Sequence, residues 1–136
     1  MFKRQQKKKR SYRVSRTGIK DENIDRQITA IHKAIALKLL ARFEQGDSTY
    51  IAMVEKTLEA RRDEGRMGYG EFLTWSSLLE IIDQRDNFLE GMLEDSPRMR
   101  KFRRRTPFVG ILEEHERQAA LEADALGTLD DIATLF

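Results

Sequence analysis

The sequence predicts an all-α protein, a small antiparallel bundle of about five helices behind a disordered basic N-terminal arm. Three observations lead there. From Ile24 onward, apolar residues recur at spacings of three and four, which is the period of an α-helix. Glycine and proline gather in short clusters that punctuate these periodic stretches. Residues 1–18 lack the period and carry eight lysines and arginines with no acidic residue, a charge density that opposes collapse. The division expected is an arm over 1–20 and a single helical domain over 21–136.

The first helix is predicted from Ile24, Ile28, Ile31, Ile35, Leu39 and Phe43, with Asp21 or Asn23 as its cap and Gly46 as its end. A second runs from about 48 to 63, with Ser48 as cap and Ile51, Val54 and Leu58 as its stripe, and Met53 beside it. The short Asp47–Ser48 turn predicts that these two helices fold back as an antiparallel pair. GRMGYG at 65–70 then breaks the pattern. A third helical region starts near Glu71, with Phe72, Trp75, Leu79 and Ile82 on one face and Leu89 and Leu93 continuing the seam. Asp86 interrupts that seam, and DQRDN at 83–87 leaves one long helix or two shorter ones open. Ser96–Pro97 ends the region, because proline disfavours helical geometry in the residue before it. Arg98 to Arg105 reads as a short helix with Met99 and Phe102 inward and six cations outward. Thr106–Pro107 offers a cap and first-turn proline for a last helix, which Gly110 could delay to Ile111. It continues through Ala125, with Leu112, Ala119, Ala123 and Leu126 as its apolar side, and Gly127 closes it. Thr128 and Asp131 have capping-box spacing for a final turn.

Chemistry-bearing residues are sparse. Without cysteine, disulfides and thiolate metal sites are excluded. His32 and His115 are the only histidines, and neither has a metal-binding spacing or an adjacent nucleophile. Both are expected to be partly buried. Glu80, Asp83, Asp86 and Glu90 share overlapping helical faces, which reads as a solvated acidic surface rather than a hard-cation site. The glycines of GRMGYG could bring N–H groups to an anion beside Arg66, but the order lacks the P-loop lysine and the strand-turn-helix setting. An interhelical turn is the plainer reading. No metal, no cofactor and no catalytic residue is predicted, and the chain is not expected to be an enzyme.

Charge segregation is the signal that remains. Residues 98–105 add six cations to the eight of the arm, whereas the rest of the chain holds 11 basic and 23 acidic side chains. Lys3, Arg4, Lys7, Lys8, Lys9, Arg10, Arg13 and Arg16 form a polycation able to neutralise phosphates without reading bases. Arg100, Lys101, Arg103, Arg104 and Arg105 could extend that footprint, arginine being suited to bidentate phosphate contacts. The opposing possibility is that 98–105 pairs internally with the acidic helices at 80–95 and 111–124. Tyr69, in the glycine loop, and Phe108, in PFVG, are candidate partner-contact residues, although Phe108 could equally cover an end of the bundle.

The function expected is therefore a noncatalytic accessory or regulatory protein that contacts nucleic acid or a nucleoprotein. The alternative is an adapter whose acidic bundle and basic segments contact an acidic protein partner, with self-association possible. Attachment to an anionic membrane surface ranks third. No signal-peptide core follows the basic start, and no run approaches the roughly 18 apolar residues of a span. A cytoplasmic location is the default.

Overall fold

A computed structural model describes residues 20–129 together with Ile132 and Phe136. Among the described residues the chain is an all-α bundle of six α-helices: α1 (Phe2–Glu44), α2 (Thr49–Asp63), α3 (Tyr69–Glu80), α4 (Arg85–Met92), α5 (Pro97–Arg104) and α6 (Glu114–Leu126). The expected arm over 1–20 lies, apart from Lys20, outside the described residues, as does Asp131 of the expected final capping box.

Helix α1 is the axis of the bundle. Residues 34–40, AIALKLL, are buried on every side, as expected of a helix that is apolar nearly all round. Its predicted stripe is therefore only part of what it buries, and Ile24 at one end of that stripe is exposed. The helix is already established at Lys20, so neither Asp21 nor Asn23 caps it. It ends at Gly46, whose positive φ lets Asp47 N–H reach Arg42 O and Gly46 N–H reach Phe43 O. That pair of bonds is the Schellman closure.

Two predicted features change in the middle of the chain. Helix α2 approaches α3 more closely than it approaches α1, so the α1–α2 antiparallel pair is not the main packing unit. Its start is held by Asp47, whose Oδ1 accepts from Thr49 N–H, and Ser48 makes no cap bond. A turn at 81–84 separates two helices, earlier than the 83–87 stretch marked for a break, and α4 buries Phe88 and Met92 where the seam predicted Leu89 and Leu93. Leu89 and Leu93 are half-buried at its edge.

The main core joins Ile35, Leu39 and Leu40 of α1 to Val54, Leu58, Trp75, Leu79, Phe88, Met92 and Met99. A smaller cluster on the other side of α1 joins Ala34 and Leu37 to Ala120 of α6 and to Ile132. Between α1 and α6 sits a buried ion pair, Lys38 Nζ to Glu116 Oε1 at 2.7 Å. Lys38 also donates to Ile111 O at 2.8 Å and lies 4.9 Å from the centre of the Tyr50 ring. Glu116 Oε1 accepts from Glu113 N–H at 2.8 Å, which fixes the start of α6. Burial pushes the Glu116 carboxyl up, but the Glu113 N–H and the Lys38 ammonium outweigh it and hold it below the ordinary range. The helix thus starts at Glu114, not at the Thr106–Pro107 pair. Those two residues belong to a non-helical connection in which Pro107 is buried.

Candidate functional site

Helix α5 organises the described cations. Ser96 Oγ accepts from Met99 N–H at 3.2 Å and Pro97 occupies the first turn, which gives a firm N-terminus. Lysine and arginine in the last turn complement the negative end of the helix. Met99 faces the core as predicted and Phe102 is half-buried, with Arg98 over its ring at 5.6 Å. The expectation that all six cations face out fails at one position. Arg103 lies one turn after Met99 on the same face and is only 2 % exposed. Lys101, Arg104 and Arg105 are exposed and Arg100 is half-buried.

The chain beyond α5 is anchored from beneath by His32, also 2 % exposed. Its Nδ1 is 2.8 Å from Ile28 O and its Nε2 2.8 Å from Thr106 Oγ1. A carbonyl can only accept, so Nδ1 carries the proton and Nε2 accepts from the Thr106 hydroxyl. Thr106 Oγ1 in turn accepts from Phe108 N–H at 3.1 Å. The imidazole lies parallel to Trp75 and edge-on to Phe108. Burial drives its pKa down to about 4, against the opposing pull of the Ile28 carbonyl. Phe108 meets Trp75 edge-to-face at 5.2 Å and is buried, so it closes the bundle and is not available as a partner anchor. Tyr69, in contrast, is 68 % exposed. His115 is also exposed, not half-buried, and lies 3.3 Å from Glu113.

Two arginines from outside the predicted cluster complete the basic surface. Gly65 adopts a positive φ, which lets Arg66 N–H return to Arg61 O at 2.8 Å. This turn holds Arg66 beside Arg61. Arg61 Nη1 then donates to the carbonyls of Arg105 and Thr106 at 2.8 and 3.0 Å, tying α2 to the end of α5. The result is a groove of about 410 Å³ lined by Arg61, Arg66, Arg104, Arg105 and Thr106.

Arg104 also lines a second concavity, of about 330 Å³, with Asp25, Pro97, Arg100 and Lys101. Asp25 and Arg100 are shared in turn with a third, of about 360 Å³, between α1 and α5. Three hollows thus adjoin one another beside α5, sharing Arg104, Arg100 and Asp25 in their walls. Sequence separation hid this arrangement, because Arg61 and Arg66 reach Arg104 and Arg105 only through the fold. Arg61 in the last turn of α2 and Arg66 just past Gly65 were the available signal.

The internal-pairing alternative holds in part. Arg100 lies 3.4 Å from Asp95, within the acidic stretch predicted to neutralise it. Arg104 and Arg105 instead meet Asp25 of α1 at 2.8 Å and Glu71 of α3 at 3.1 Å. The Arg104 hydrogen bond holds the Asp25 carboxyl below its ordinary range, and Asp25 raises Arg104 in return. Arg66 pairs with Glu64 at 2.7 Å. Lys101 has no ion-pair partner among the described residues. The Arg66–Glu64 and Arg100–Asp95 pairs are open to solvent on both sides, worth about 1 kcal/mol or less, and can be exchanged for a phosphate. Glu71, in contrast, is buried and Asp25 largely covered, so Arg105 and Arg104 are held more firmly. Lys3, Arg4, Lys7, Lys8, Lys9, Arg10, Arg13 and Arg16 lie outside the described residues.

Among the described residues, no group of three or more His, Asp or Glu side chains is placed to hold a metal ion. Nor is any described helix long and apolar enough to cross a membrane. Comparison with protein-family models, with curated proteins and with solved structures finds no match for this chain.

Proposed function

We propose that this chain is a noncatalytic accessory protein of the cytoplasm that holds nucleic acid, or a nucleoprotein, by its phosphates. The observation that carries this reading is the groove in which Arg61 and Arg66 meet Arg104 and Arg105. A backbone phosphate offers each guanidinium a bidentate acceptor. The polycationic segment at 3–16 adds a second, sequence-independent contact. Contacts of this kind fix position on a strand without reading bases.

The test is fluorescence anisotropy with labelled duplex DNA and RNA across a salt series. Three proteins are compared: the full chain, a chain beginning at residue 17, and an Arg66→Ala/Lys101→Ala variant, both of whose side chains are exposed on the basic surface. Affinity of the full chain should fall steeply with salt. Each phosphate contact removed should lower the slope of log affinity against log salt by about 0.9 on duplex DNA. Absence of binding by the full chain at low salt would overturn the proposal.

One observation favours the adapter reading as the second choice. Tyr69 and Leu73 are exposed one turn apart on α3. Leu73 lines a groove of about 430 Å³ with Leu78, Ile81, Gly91 and Met99. Exposed aromatic and aliphatic residues beside an apolar groove suit a protein partner. Nuclease-insensitive recovery of one stoichiometric protein, lost with Tyr69→Ala/Leu73→Ala, would favour this reading over the first.

A further inference from the structure

The hollow between α1 and α5 contains a buried guanidinium without a direct ion pair. Arg103 is buried at its lining, yet its guanidinium makes one hydrogen bond, from Nη1 to Met92 O at 3.2 Å. Its Nε has no acceptor, and no described carboxylate lies within ion-pair distance. The neighbouring acids are already engaged. Asp25 accepts from Arg104, and Asp95 lies against Arg100. Arg26, on the same lining, reaches Asp124 of α6 at 3.6 Å, and Glu22 completes the set of charges around the hollow. Asp95, Asp25 and Glu94 favour its charge from a distance, but among the described residues Arg103 is the guanidinium in this cleft without a direct ion pair. A buried charge without one is strongly unfavourable unless an anion completes it.

Resting on the nucleic-acid reading above, we propose that this cleft receives one phosphodiester of the bound strand, with Arg103 as its buried anchor. The cleft shares Asp25 and Arg100 with the neighbouring hollow on α5, so a strand lying along α5 passes beside it. Three guanidiniums and three carboxylates line it. That balance suits the single charge of a backbone phosphodiester better than the near-double charge of a terminal phosphate.

The test is salt-dependent anisotropy of full-length Arg103→Met and Arg103→Lys proteins, with circular dichroism and thermal unfolding alongside. Methionine fills the buried volume without a charge, so Arg103→Met should unfold no earlier than the wild type. It should nevertheless bind about tenfold more weakly, with a salt slope smaller in magnitude by about 1. Arg103→Lys keeps the charge but loses the planar fork, and should bind more weakly as well. Oligonucleotides with and without a 5′-phosphate should bind equally.

Wild-type binding that persists unchanged in both variants would overturn this inference and leave the broader reading intact. Failure of the wild type to bind would overturn both. If neither variant folds, Arg103 serves the core and the site is refuted. A strong preference for phosphorylated ends would refute the phosphodiester assignment.

Discussion

His32 offers a direct way to test whether the support beneath α5 is arranged as described. The ring is neutral, with its pKa lowered from 6.5 to about 4 by burial, and it donates to Ile28 and accepts from Thr106. In the unfolded chain it titrates near its ordinary value, so between those two pH values the unfolded state binds the extra proton. Stability is therefore fully present above about pH 6.5, falls as pH drops through the window, and levels off below about 4. A shift of this size corresponds to about 3 kcal/mol in all, of which about 2 kcal/mol is lost between pH 7 and pH 5. Substituting His32→Gln preserves a donor and an acceptor but removes the titration. Urea unfolding of both proteins at pH 7 and pH 5 separates this loss from the carboxylates, which titrate alike in the two chains. The variant should be the less stable protein at pH 7, and the gap should shrink or reverse by about 2 kcal/mol at pH 5. A gap that stays constant to within about 0.5 kcal/mol would refute a buried neutral His32.

Three further outcomes follow from packing. Lys38→Ala leaves the Glu116 carboxylate buried without its cation and should cost about 3–5 kcal/mol in urea unfolding, whereas Lys38→Met/Glu116→Leu should recover most of that loss. Ser96→Ala removes the acceptor for Met99 N–H and should cost about 1 kcal/mol by thermal unfolding, with weaker nucleic-acid binding as α5 frays. At Gly91 an added Cβ would collide with Leu78 Cδ2, the free end of a side chain that borders an open groove. Displacement of that methyl offsets a helix-propensity gain of about 1 kcal/mol, so Gly91→Ala should be nearly neutral in thermal unfolding.

Local rules were sufficient where a helix shows one face to the core and one to water. The second helix, the Trp75 face of the third, and the inward Met99 of α5 were all legible on that basis, whereas Ser96–Pro97 was read only as the end of the region before α5 and not as its start. They failed where burial has no single face. Nothing in the period of residues 34–40 says that α1 is enclosed, although AIALKLL is apolar enough to have suggested it. Phe88 and Met92 were missed because an apparent seam through Leu89 and Leu93 continued the preceding helix, when the chain in fact turns at 81–84. Glu113 and Glu116 start the last helix because Lys38 waits for Glu116 across the bundle, a partner 78 residues away. The basic site divides similarly. Composition located the cations of 98–105, but which of them turns inward depends on where α5 docks, and Arg61 and Arg66 enter the site only through tertiary structure.

The enclosure of α1 also bears on how the protein comes to exist. A chain made from its N-terminus presents AIALKLL before any of the residues that cover it. One side awaits α2–α5, and the other awaits Ala120 and finally Ile132. During synthesis the segment is therefore an apolar helix whose Ala34–Leu37 side has nothing to pack against until nearly the whole chain is made. Such exposure favours chaperone capture or aggregation. Lys38 sits in the middle of it, solvated and charged until Glu116 arrives, and that single cation keeps the nascent helix from being uninterrupted grease.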